Sequence, residues 1–497
     1  MNAFSRRGAC PALSAPMQTG DGLLVRLNPV AGGLTPKSLI GLCKSALRHG
    51  NGIMEVTARG SLQIRGLTAE SAGLLTAEVD ALGIAVRSGV PVETGPLAGI
   101  DPQEIADPRP LAGRIRAAIE EAGLTARLGP KVSVVVDGGG QLAMDAVTAD
   151  VRVKAVRAKG EVLWSVSIGG DGRSAKPLAA VYVDAAHDIA VAALRMVAEK
   201  GREAHTRDLS ERQLNSLASW RSVPPPSVLP DISPARGEIA LSWPPSPITD
   251  VAPFSVESGA PSAELPISPL AGEMSGRTEG GAKERPPTRS PIGMFDLTDS
   301  HALGIGLPFG SMPAQNLIEL ATQASILGST EIRLAPGRAL HFLGLTPSAC
   351  FALQASATDL AFVTDAADPR IRIAACPGAP ACASGRIATR AIAETIAAEG
   401  SDLLDHSLTL HISGCAKGCA HPGPATLTLV GDENGAGLVV DGTAKALPAG
   451  YRPGYDAARG VVGVLAVIRR QRHQGETAAA CLARLDAAGI AELYRRN

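Results

Sequence analysis

Four cysteines near the C-terminal end have the types and spacing of a shared metal centre. Cys376 and Cys382 form Cys-x5-Cys in AACPGAPACASGR, and after 32 intervening residues Cys415 and Cys419 form Cys-x3-Cys in HISGCAKGCAHPGPATLTLVG. Two short loops that each supply two thiolates can hold a [4Fe–4S] cluster. Gly378, Gly414, Gly418 and Gly423, with Pro377 and Pro380, suit chain that bends tightly around an inorganic core. Lys417 adds positive charge beside an anionic set of thiolates. A tetrahedral zinc site also uses four thiolates, usually with about two or four residues inside each pair. The other cysteines, Cys10, Cys43, Cys350 and Cys481, are scattered. Cys43 and Cys481 lie in helical patterns among Leu and Ala and read as buried thiols. Eight cysteines in a long, cytosolic-looking chain favour metal or catalysis over a disulfide framework.

The elements around these pairs must aim them. Strands at 371–375 and 407–412 enter the two pairs, a helix at 384–398 leaves the first, and a hairpin at 425–430 and 437–441 follows the second. Helices at 457–471 and 476–495 close the chain. Nearer the N-terminus, the patterns give helices at 111–123, 185–201 and 210–220 and strands at 132–136 and 162–168.

An internal repeat underlies both parts. GDGLLVRLNPVAGGLTPKSLIGLCKSALRHGNGIMEVTARGSLQIRGL ends at Leu67, and HALGIGLPFGSMPAQNLIELATQASILGSTEIRLAPGRALHFLGL ends at Leu345. Without a gap, Leu39, Leu42, Gly50, Leu62, Gly66 and Leu67 fall on Leu317, Leu320, Gly328, Leu340, Gly344 and Leu345. Each copy reads strand, helix, strand, strand, which predicts a pseudo-twofold molecule rather than a solenoid. A Pro-, Ser- and Gly-rich stretch carries no period and reads as a disordered linker. The expected units are 18–85 (first repeat), 86–222 (an α/β domain without a cluster), 223–292 (linker), 293–362 (second repeat) and 363–497 (the cluster-binding α/β domain). The class is α+β with mixed sheets. DGGG at 137–140 and GDENGAG at 431–437 lack the dinucleotide fingerprint and read as hairpin turns. Electrons would therefore arrive from a separate protein.

Composition narrows the function. The 497 residues exceed what one core serves, so at least two domains are expected. Apolar residues make up 45% and aromatics 3%, so aliphatic packing must dominate. Lys plus Arg total 47 against 48 Asp plus Glu, which gives no bulk charge for nucleic-acid binding. No apolar run of about 18 residues predicts a membrane span. Two prolines interrupt the opening MNAFSRRGACPALSAPM where a signal peptide needs an apolar stretch, so a cytoplasmic location is expected.

At the cysteine motifs the chain resembles the nitrite and sulfite reductase superfamily, and within it the precorrin-3B synthase family. RRGACPALSAPMQTGDGLLVRL, GPLAGIDP at 95–102 and SGCAKGCAHP at 413–422 are similar to the latter. Ala416 and Lys417 stand where sulfite reductases usually carry Pro and Asn. The resemblance covers nearly all of the chain outside the linker. It implies a pseudo-twofold fold of two ferredoxin-like half-domains and two mixed α/β sheet domains. It also implies a [4Fe–4S] cluster on Cys376, Cys382, Cys415 and Cys419, the last of which bridges to sirohaem in the reductases. Those enzymes surround a small oxyanion with two arginines and two lysines. Arg59 matches the first arginine, but SGVPVETGPLAG lacks the second, and LGPKVSVVVD keeps Lys131 while placing Ser133 at the other lysine position. Half of the cage is missing, which argues for another reaction.

The implied reaction is oxygen-dependent hydroxylation of precorrin-3A at C20 with γ-lactone formation, in aerobic cobalamin biosynthesis. Electrons would come from an external NAD(P)H-dependent reductase or ferredoxin. Arginine suits the carboxylates of such a tetrapyrrole, and Arg26, Arg59, Arg65, Arg333 and Arg338 are the candidate clamps. Arg59, Lys131 and Lys417 are candidates for a catalytic role. The resemblance further implies a mononuclear non-haem iron, for which His411 and His421 are the nearest ligands in the sequence. A sirohaem-dependent assimilatory sulfite or nitrite reductase and a non-catalytic cluster-bearing electron-transfer or assembly protein are the alternatives.

Overall fold

In the first copy of the repeat, strands Gly22–Leu27, Ile53–Val56 and Leu62–Leu67 pack with helices Pro36–His49 and Ala69–Ala81. The Thr35 hydroxyl accepts from the Ser38 N–H, Pro36 opens the first helix, and Arg48 and His49 lie in its last turn. Each of these choices favours a helix with those ends. The second copy repeats the order with His301–Gly306, Ala314–Ile326, Glu331–Ala335, Ala339–Leu345 and Pro347–Asp359. The computed structural model describes residues 11–30, 33–219, 289–402 and 404–496. The linker expected at 223–292 therefore lies outside the described residues except for its last four. Of these, Arg289 lies 4.3 Å over the Phe295 ring and Ile292 is buried.

Each copy lends a short strand to the other. Gly33–Leu34 pairs with Glu331–Ala335, and Ser311–Pro313 pairs with Ile53–Val56, so both sheets reach five strands only across the pseudo-twofold. One apolar core joins Leu39, Leu42 and Ile64 to Leu317, Leu320 and Phe342. Segments 18–85 and 293–362 thus form a single packed unit.

The remaining two sheets also repeat each other. Val92–Thr94, Val134–Asp137, Ala149–Ala158, Glu161–Gly170 and Lys176–Val181 lie side by side in chain order. So do Ile373–Ala375, Leu410–Ser413, Ala425–Asp432, Gly435–Gly442 and Gly450–Arg452. In both sheets the first three strands are parallel and the rest antiparallel. The cysteine loops leave Ala375 and Ser413; their counterparts, GPLAGIDP and DGGG, leave Thr94 and Asp137. DGGG is therefore not a hairpin turn. It opens a crossover between parallel strands that passes through the short 3-10 turn Met144–Ala146. GDENGAG does turn a hairpin. The helix expected from 384 starts only at Thr389; ahead of it the Gly385 and Arg386 N–H groups donate to Cys382 O and Gly414 O and close the cysteine loop. The last helix, Ala478–Arg496, is broken at Asp486, where φ is +52°.

The GPLAGIDP and DGGG loops enclose Glu104, which accepts from the Gly99 N–H at 2.8 Å. Burial raises its carboxyl from 4.5 to about 7, with Asp101 and Asp107 adding to the rise and the Gly99 bond opposing it. Between those values the folded protein keeps a proton that the unfolded chain has released, so stability falls as pH rises through this window. Glu104→Gln keeps an acceptor for Gly99 and removes the titration. Its melting temperature should fall less than the parent's between about pH 5 and about pH 8; equal falls in the two proteins would count against this origin.

Candidate functional site

The two cysteine loops meet beyond the C-terminal ends of adjacent parallel strands, where open sheets commonly place ligands. Cys376 follows Ile373–Ala375 directly, and Cys415 follows Leu410–Ser413 by one residue. The Gly414 N–H donates to Cys376 Sγ at 3.2 Å. A β-carbon at 414 would stand 3.1 Å from the α-carbons of Gly378 and Gly385, a tight contact that glycine relieves. Gly378 has φ +63° and packs on Thr389, whose hydroxyl donates to the Cys376 carbonyl. The Cys382 N–H donates to Gly378 O at 2.7 Å, and Ser413 Oγ donates to Cys415 O at 2.7 Å. All four thiols are free; three are half-buried and Cys419 is exposed. Although the Cys419 residue is exposed, partial burial of its sulfur raises its thiol, and the charges of Cys376, Cys415 and Cys382 add to this while Lys417 opposes it. Four free thiols on two touching loops are a soft donor set of the kind that holds a cationic centre.

Among the described residues, no three His, Cys, Asp or Glu side chains gather closely enough to hold one metal ion. A tetrahedral zinc site needs four sulfurs about 2.3 Å from one centre. An iron–sulfur cube places each thiolate on its own iron and asks for wider spacing. The free thiols, the glycine contacts and the Gly414 N–H directed at sulfur fit such a cube. The expected mononuclear iron fares differently. His411 is fully buried, with no partner at either ring nitrogen. Its ring lies edge-on to that of His421 at 5.8 Å, and His421 Nε2 is bonded to Pro424 O at 3.0 Å. Burial, then the neighbouring His421 and Arg338, hold His411 down at about 4. No third ligand joins these two rings among the described residues, so the residues present do not fit that iron.

The cationic candidates separate by partner. Arg59 donates to Glu93 Oε2 at 3.2 Å, Ser133 Oγ at 3.0 Å and Thr148 O at 2.8 Å. Arg26 donates to Gln63 Oε1 at 2.9 Å. Arg65 is buried and grips both Asp21 oxygens, at 3.1 and 2.9 Å. Arg333 pairs with Glu331 at 2.9 Å and reaches Pro96 O at 3.1 Å, which ties GPLAGIDP to the second repeat. Arg338 donates to Ala420 O at 2.9 Å, beside Cys419, and has no carboxylate partner among the described residues. Burial, then the charge of Arg390, lowers its guanidinium to about 10. Lys131 is exposed, and exposed Lys417 donates to Ser384 Oγ at 2.8 Å.

Sequence reasoning missed the acids that engage these bases. Glu93 sits in the very stretch where the second arginine is lacking. Buried Glu55 accepts from Gln63 at 3.0 Å and from Arg390, on the helix that follows the first cysteine loop. The signal available was an isolated Glu among apolar strand residues, in IMEV.

Comparison with known proteins adds ancestry. Residues 15–82 match the nitrite/sulfite reductase ferredoxin-like half domain. A precorrin-3B synthase of Sinorhizobium sp is 36% identical over 495 residues, covering 100% of this chain and 96% of that protein. A ferredoxin–nitrite reductase of Synechococcus elongatus is 24% identical over 88% of this chain and 81% of its own length. Among solved structures, the Mycobacterium tuberculosis NirA protein superposes with a TM-score of 0.67 at 16% identity, over 94% of this chain and 84% of that one. That likeness places the fold as nitrite/sulfite reductase-like. No helix among the described residues is long and apolar enough to cross a membrane.

Proposed function

Because the chain belongs to the precorrin-3B synthase family of the nitrite and sulfite reductase superfamily, we propose that it hydroxylates precorrin-3A at C20, with closure of a γ-lactone, in aerobic cobalamin biosynthesis. One atom of dioxygen enters the macrocycle and the other leaves as water, with an electron pair from an external NAD(P)H-dependent reductase or ferredoxin. When bound to Cys376, Cys382, Cys415 and Cys419, a [4Fe–4S] cluster supplies single electrons for this chemistry.

The observation that carries this reading over oxyanion reduction is the Arg59–Glu93 pair. Arg59 is the one arginine of the reductase cage that this chain keeps, and it faces a carboxylate at 3.2 Å. A partly exposed pair of this kind adds only about 0.2–1 kcal/mol to stability, but the carboxylate occupies the guanidinium that an oxyanion would need. Glu93 thus offsets the attraction a small oxyanion would feel, and Ser133 takes a further Arg59 N–H where the reductases place a lysine. A large polycarboxylate needs its cations elsewhere.

Arg338 supplies one. It holds φ +65° in the turn between Glu331–Ala335 and Ala339–Leu345, at the position where the first copy carries Gly60 with φ +78°. A non-glycine residue there stores on the order of 1 kcal/mol of strain. An arginine kept in that conformation, sheltered from water and without a carboxylate, is placed to take a substrate carboxylate through its planar fork. Its bond to Ala420 O sets that carboxylate beside the Cys415–Cys419 loop.

The test is turnover. Purified protein incubated with precorrin-3A, oxygen and reductant should yield a product heavier by one oxygen atom, and its visible spectrum should show broad iron–sulfur absorbance without haem. Sirohaem bands, with sulfite or nitrite reduction and no precorrin turnover, would overturn the assignment.

A further inference from the structure

The first repeat reaches across the molecule to the Cys376–Cys382 loop. Arg65 ends that reach: its Nη2 donates to Ala381 O at 2.6 Å, on the residue preceding Cys382, while Nε and Nη2 hold Asp21. Asp21 is itself fixed by the Thr19 hydroxyl at 2.7 Å. Beside it, Gly20 lies against the same loop. A β-carbon at 20 would stand 2.6 Å from Ala383 N, 2.8 Å from Pro380 O and 2.9 Å from the Cys382 carbonyl carbon. Arg65 also lies 3.7 Å from Glu55, which accepts from Arg390 on the helix leaving the loop. The Thr19–Gly22 turn, Arg65 and Glu55 therefore grip the loop, and the helix that follows it, from a different domain.

We propose that Arg65 is a positioning residue for the cluster: through Ala381 it holds Cys382 in its ligating position, and it keeps the carboxylates of Asp21 and Glu55 neutralised beside the cysteine loop. The inference rests on the ligand assignment for Cys376, Cys382, Cys415 and Cys419. Reduction adds negative charge, which Asp21 and Glu55 would oppose if Arg65 did not neutralise them, and both net charge and outer contacts set cluster potentials. Arg65 is thereby distinct from a substrate clamp, since Asp21 and Ala381 already take its fork.

The experiment measures iron and sulfide content, the rate of cluster bleaching under a chelator, and the midpoint potential. It compares the full-length parent with Arg65→Gln, Arg65→Lys and Gly20→Ala. Loss of an outer contact of this kind weakens metal binding by roughly 10- to 100-fold. Arg65→Gln should bleach at least about ten-fold faster and show a more negative potential. Arg65→Lys keeps the charge but cannot grip Asp21 and Ala381 together, so it should restore the potential more than the bleaching rate. Gly20→Ala, with its charges intact, should bleach faster by displacing the loop, and Arg65→Lys decides the matter if Arg65→Gln does not fold, since a bleaching rate and potential equal to the parent's would remove the role of the fork. A parent with no iron or sulfide sinks the ligand assignment itself. A parent with a full cluster, and an Arg65→Gln variant that matches it in bleaching rate and potential, sinks the role of Arg65 alone, whatever Gly20→Ala does.

Discussion

Cys376→Ser should purify without a [4Fe–4S] signal in the EPR spectrum of the reduced protein and with most of its iron lost. Cys376 sits at the centre of the loop contacts. Its sulfur accepts from the Gly414 N–H, its carbonyl accepts from Thr389, and its strand lies beside the one that leads to Cys415. Serine presents a hard hydroxyl of much higher pKa where a soft thiolate is needed. The three sulfurs that remain would have no complete cube to share, and the Gly414 contact would lose its acceptor at that distance. Cys43→Ala is the matched control. Cys43 lies on Pro36–His49, fully enclosed in the core of the repeats, where burial pushes its thiol up to about 12. That variant should keep the full signal. A complete signal in Cys376→Ser would show that the ligands lie elsewhere.

Arg338→Gln should raise KM for precorrin-3A with little change in kcat. Hydrogen bonds to a charged group are worth about 1.5–3 kcal/mol, which corresponds to a rise of roughly 10- to 150-fold. Arg338→Lys should recover part of the loss, because it keeps the charge without the fork. Arg338→Gly separates binding from folding. Glycine relaxes the left-handed backbone at φ +65°, so this variant should melt at a higher temperature than the parent while binding as poorly as Arg338→Gln. A KM unchanged in all three variants would remove Arg338 from the substrate site. Unequal melting with equal KM would leave it only a strained turn.

Much of the fold was legible because it is written in short-range spacing. The repeat announced itself through leucines and glycines at matched positions, and the strands entering both cysteine pairs were visible as apolar runs. The hairpin after the second pair and the helix Ala457–Gln471 followed from the same local periods. Other elements were hidden by charges that point inward. Strand Ala149–Ala158 reads as polar because of Arg152 and Lys154. Yet Arg152 is buried and donates to the Met144 and Val147 carbonyls, and Lys154 pairs with Asp145 at 3.1 Å. The exchanged strands, two and three residues long, are too short to carry any period. The second pair of sheets repeats in topology while its loops diverge, from DGGG to SGC, so gap-free matching could not find it.

The amino-acid sequence alone determined which thiols stand on which kind of loop, because thiol type, glycine placement and strand-to-loop order are local properties. It also set the twofold plan through residues recurring at fixed intervals. Only the tertiary structure decided which cations remain available. Arg65 meets an oxygen 316 residues away, and Arg59 meets a serine 74 residues away. Five arginines that are equivalent in one dimension become a loop anchor, a neutralised pair, two structural ties and one guanidinium without an acid, since a charge acts on whatever folding brings within a few ångströms of it.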